Sequence, residues 1–151
     1  MTHFRDLLQA RAGLTLRERQ ESATRSFPVV VAGSPFKLWS PDHPIASQGT
    51  RLLIGVATYS EPDLKLLDLV GEALERGGEN TPIIEVFNTL DCHSHADFER
   101  YIPGIGKVFQ TPAVGVWQNG VLVTKASGRS ARDVIRQMCD LDPSSIQRLW
   151  N

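Results

Sequence analysis

Residues 111–128 read TPAVGVWQNGVLVTKASG, and this stretch decides the fold. Asn119-Gly120 separates two apolar runs, and that dipeptide is the strongest short-range signal for a β-hairpin. Thr111-Pro112 opens the first run, at the kind of X-Pro bond where constrained turns concentrate. Beyond Gly128, Ser130 opens an amphipathic helical segment, ARDVIRQMCDL (131–141).

Upstream of the hairpin the signals alternate. RLLIGVAT (51–58) is a buried-strand run, followed by a helical stretch, DLKLLDLVGEALERGG (63–78). Leu64, Leu67, Val70, Gly71 and Leu74 form one stripe of that helix, and Gly77-Gly78 stops it. A second strand, IIEVFNTL (83–90), precedes a short helix within SHADFERYI (94–102), with Ser94 as its N-cap. The order β-α-β-α-β-β-α predicts an α/β fold: a central mixed sheet with helices on both faces.

The first 50 residues are predicted to form an N-terminal extension on a domain spanning 51–151. Phe4, Leu7 and Leu8 have helical spacing, and Thr15 caps a second helical segment, LRERQESA. FPVVVAGSPFKLWS (27–40) reads as a strand, a turn at Gly33-Ser34-Pro35 and a second short strand. The extension carries six basic and four acidic groups, +2. The remainder carries ten and thirteen, −3, so the chain of 151 residues is at −1.

That near-neutral balance argues against nucleic-acid binding through bulk charge. No stretch approaches the roughly 20 apolar residues of a membrane helix. No signal-peptide core is visible at the start. The expectation is a soluble cytoplasmic protein whose two cysteines, Cys92 and Cys139, are reduced thiols.

Residues 51–141 resemble the thioredoxin-like superfamily. The strand RLLIGVAT runs into TYSEPDLK where thioredoxins place Trp-Cys-Gly-Pro-Cys-Lys. Thr111-Pro112 stands where the family has its cis-proline. Gln118-Asn119-Gly120-Val121, Lys125, Gly128 and the last helix match the family's closing hairpin and helix. The chain departs from the family where the chemistry lies. Tyr59-Ser60-Glu61-Pro62-Asp63 replaces the dithiol motif, and Ile54 replaces the family's buried acid. Thiol–disulfide exchange needs a thiolate to attack and a sulfur to be attacked, and neither Ser60 nor Asp63 supplies one. Ser60 and Asp63 have a structural reading as a helix capping box, with Asp63 reaching back toward Ser60.

The resemblance implies a non-redox protein that binds an extended peptide or protein segment beside the proline, by strand addition. Its binding residues are expected to be Tyr59, Ser60, Glu61, Pro62, Thr111 and Pro112, with no cofactor. The alternative is a single-cysteine or glutathione-dependent oxidoreductase using Cys92. Asp91-Cys92-His93-Ser94-His95 also resembles part of a metal site, but a zinc centre wants three or four ligands. Only His43 or Cys139 could complete it, and the expectation is no metal. Trp150, after DPSSIQRL, either clamps the tail onto the domain or faces a partner.

Overall fold

The computed structural model describes residues 3–9, 13–40, 48–77, 81–108 and 110–150. After a 3₁₀ turn at Phe4–Leu8, the chain forms α1 (Leu16–Ala32), β1 (Lys37–Leu38), β2 (Thr50–Val56) and α2 (Glu61–Arg76). Then come β3 (Ile83–Asn88), a 3₁₀ turn at Thr89–Asp91, α3 (His95–Tyr101), β4 (Ala113–Gln118), β5 (Val121–Ser127), α4 (Arg129–Cys139) and α5 (Pro143–Leu149). Among the described residues the strands make one mixed sheet in the order β1-β3-β2-β4-β5. β1, β3 and β2 run parallel; β4 and β5 are antiparallel to their neighbours. The α/β architecture expected from the alternating pattern is present.

The N-terminal third corrects the sequence reading. Residues 27–32 are not a strand; they are the last turns of α1. Thr15 and Glu18 form a reciprocal capping box that starts this helix. Ala23, Phe27, Val30 and Val31 are its buried residues, and their i, i+4, i+7, i+8 spacing is helical. Pro28 inside the helix costs about 3 kcal/mol. Burial of Phe27, Val30 and Val31 outweighs it, at roughly 5–9 kcal/mol together. Within residues 27–40, only Lys37–Leu38 is strand, pairing parallel with Glu85 and Val86 at the sheet edge.

Two apolar clusters lie on the sheet. In the larger, Leu52, Ile54, Val56, Ile84, Val86, Val114 and Val116 meet side chains of α1, α2 and α4. Phe4 joins it, with ring centroids 5.9 Å from Phe27 and 5.7 Å from Phe36. The smaller gathers Leu53, Phe87, Ile102, Ala113 and Trp117, with Trp39, Tyr101 and Cys92 packed against it. A buried Arg51–Glu85 ion pair lies in the sheet, with the guanidinium 4.9 Å from the Trp117 ring centre. The hairpin turn is as read: Asn119 and Gly120 have φ of 51° and 83°, as a type I′ turn requires. Trp150 packs against the larger cluster and clamps the tail.

No helix among the described residues is long and apolar enough to cross a membrane.

Candidate functional site

The carboxyl ends of β2 and β3 meet the start of α2 and the segment entering β4. β2 gives way at Ala57, where the Ser60 N–H donates to the Ala57 carbonyl at 2.9 Å. Ser60 then caps α2: its hydroxyl accepts the Asp63 N–H at 3.4 Å. Glu61 is exposed and pairs with Lys65 at 2.9 Å, a helix-surface contact of little energy. Pro62 occupies the first turn of α2, where its missing N–H is not needed.

Asp63 departs from the expected capping box. Its side chain does not reach back to the Ser60 N–H. It turns inward, is fully buried, and accepts the Ala57 N–H through Oδ2 at 3.0 Å. Burial pushes the carboxyl above the usual carboxylate range. The Thr111 hydroxyl, the Ala57 and Ser60 hydrogen bonds and the Arg132 guanidinium act in the opposite direction. Thr111 lies close enough to favour the charged form, yet Oδ1 makes no hydrogen bond of normal geometry. A buried acceptor satisfied this incompletely is uncommon, and its neighbour here is Thr111.

Thr111-Pro112 is a cis peptide bond at the entrance to β4. The Pro112 carbonyl accepts the Gly128 N–H at 2.8 Å, tying the start of α4 to this segment. Gly128 has φ 64° and ψ −135°, a backbone state that glycine adopts without penalty. Among the described residues, no backbone hydrogen bond engages the N–H or the C=O of Thr111. The β2–β4 ladder ends at Gly55 opposite Ala113. The β4 backbone thus continues past its partner strand as an open donor and acceptor.

Behind this edge lies a polar network that the sequence pattern did not reveal. The Thr24 and Thr58 hydroxyls are 2.8 Å apart. Asn88 Nδ2 donates to Thr58 Oγ1 at 3.2 Å, and Thr89 Oγ1 to the Val56 carbonyl at 3.2 Å. These bonds fasten α1 to the ends of β2 and β3. Three isolated threonines and an asparagine carry no periodicity, so only their convergence in space marks them.

Tyr59 is 54% exposed. With Leu90 and the α1 residues Gln20, Glu21 and Arg25 it lines a groove of about 470 Å³. The Cys92 N–H closes the Thr89–Asp91 turn, and its side chain packs with the second cluster, which includes Ala113. Burial, then Asp97 and Asp91, push its thiol up to about 11. Cys139 is likewise raised to about 11 by burial at the end of α4. His43 lies outside the described residues. The structure therefore joins Ser60, Asp63 and Thr111, sets Tyr59 on a groove walled by α1, and packs Cys92 against the smaller cluster, near Asp91 and Asp97.

No protein-family model, curated protein or solved structure matches this chain.

Proposed function

We propose that the chain is a thioredoxin-fold protein that does no dithiol chemistry and binds an extended peptide or protein segment at Thr111. One observation carries this reading: the N–H and C=O of Thr111, unpaired among the described residues, beside the capped start of α2. An extended segment adds to such an edge through main-chain hydrogen bonds, with side-chain pockets supplying selectivity. Ser60, Pro62 and Pro112 form the floor of that contact, and Tyr59 and Glu61 its rim. The strand order and the Thr-Pro before β4 support the fold assignment. Ser60 and Asp63 stand where the dithiol would be, and neither is a redox group. On this reading the protein works in the cytoplasm, with reduced thiols and no cofactor. The Cys92 alternative gains no support from a thiol pushed away from the thiolate form.

The test is selection of peptides from a displayed library on the full chain, followed by amide-shift mapping. The account expects shifts centred on Thr111, Ser60 and Tyr59, lost when the paired peptide amide is N-methylated. Shifts confined to another face, or sustained dithiothreitol-dependent insulin reduction, would overturn it.

A further inference from the structure

α4 presents Arg129, Arg132 and Arg136 at i, i+3 and i+7, positions that share one side of a helix. The chain then reverses: Asp140 adopts φ 52°, and Asp142 caps α5 by accepting the Ser144 N–H at 3.1 Å. This return lays Pro143, Ile146 and Trp150 opposite the three arginines and leaves a groove of about 510 Å³ between them. The Arg132 guanidinium stacks 4.4 Å from the Trp150 ring centre, an attraction that also fixes the plane of its donors.

Among the described residues, none of the three guanidinium groups makes a hydrogen bond or an ion pair within 4.0 Å, and Arg132 Nε is sealed from solvent with no acceptor; the Arg132 charge also acts on the buried Asp63 carboxyl. Asp133 lies on the same rim, exposed, and pairs with none of them. The lining carries +3 and −1, a net of +2, in a chain whose net charge is −1. The cationic stripe is therefore a local feature against the balance of the whole molecule. Seven helical residues cover about 10.5 Å, too long for one small anion to span. Acidic side chains at alternate positions of an extended chain recur about every 7 Å, which suits such a stripe. The apolar wall offers contact for the residues between them.

We propose that the α4–α5 groove docks an acidic segment of a partner protein, its carboxylates on Arg129, Arg132 and Arg136 and its apolar side chains against Pro143, Ile146 and Trp150. This does not depend on binding at Thr111. Planar guanidinium groups meet carboxylates through paired hydrogen bonds, and the electrostatic part of such binding is salt-sensitive.

The experiment is fluorescence anisotropy of the full chain with a labelled peptide alternating glutamate with alanine and leucine. Its counterpart carries glutamine in place of glutamate. The proposal expects binding of the acidic peptide alone, weakening with salt, and about tenfold weaker for Arg132→Gln or Arg136→Gln. Arg129→Gln, at an exposed position, keeps the test open if either of the others fails to fold by circular dichroism. Equal binding of both peptides, no binding, or unchanged affinity in the folded arginine variants would overturn the proposal. So would displacement of the peptide by inorganic phosphate or a thymidine oligonucleotide at equal strength, since the groove would then be a general anion site.

Discussion

Two aspartates on α2, Asp63 and Asp68, are both buried, and their surroundings differ in a telling way. Asp68 is used up by the fold. Its Oδ1 accepts the Phe4 N–H at 2.8 Å and its Oδ2 the Arg5 N–H at 3.1 Å, with the Arg5 guanidinium at 3.6 Å. It fastens the N-terminal 3₁₀ turn to α2. Asp63 holds one backbone N–H, and its second oxygen faces the Thr111 hydroxyl without a hydrogen bond of normal geometry. Burial raises both carboxyls above the ordinary range. The same residue type on one helix thus makes a closed structural clasp at one point and an incompletely satisfied edge at another. Incomplete satisfaction, together with the open Thr111 backbone, is what separates the candidate site from the scaffold.

The largest effect should come from the clasp side. Phe4→Ala removes the ring that the 3₁₀ turn inserts between Phe27 and Phe36, and we expect a loss of about 3–5 kcal/mol in urea unfolding. A change below about 1 kcal/mol would mean that the turn is not part of the cooperative fold. Asp68→Ala strands two backbone donors, and we expect it to cost about 2–3 kcal/mol. In a double-mutant cycle the two changes should be less than additive, since both release the same turn. Full additivity would break the picture of a single clasp.

Much of this was legible in the sequence, and the failures have physical causes. Strands β2 to β5, α2 and the Ser60 cap follow from apolar runs, turn residues and the helical stripe. Val29, Val30 and Val31, a β-branched run after a proline, imitate a strand within residues 27–32. The helical signal was present in Ala23, Phe27, Val30 and Val31, and tertiary burial decided in its favour. The inward turn of Asp63 was not legible. A Ser-x-x-Asp pattern reads as a capping box, and only the closeness of Ala57 and Thr111 sends the carboxyl inside. The Thr24–Thr58–Asn88 network was invisible for the same reason, being assembled from distant segments.

The site side should respond weakly in stability and distinctly in pH dependence. Asp63→Ala loses one acceptor and also removes an unpartnered buried oxygen, so its cost should be about 1 kcal/mol, below that of Asp68→Ala. A larger cost than Asp68→Ala would reverse the comparison. The smallest effect concerns Asp63→Asn. A carboxyl with a raised folded pKa contributes stability that is fully present below its unfolded value of about 3.9 and is lost as pH rises through the folded value. Asp63→Asn removes that loss. Relative to wild type, the variant should gain stability between acid and neutral pH, read from urea midpoints at both. A wild-type minus variant difference that is flat with pH would contradict the raised pKa of Asp63.

The central claim is that the Thr111 backbone is open in the free protein and closes on an extended partner. Amide hydrogen exchange at Thr111, with and without a library-selected peptide, tests it most directly. The account predicts fast exchange in the free chain and clear protection in the complex. Protection already present in the free chain, or exchange unchanged by a peptide that binds, would contradict it.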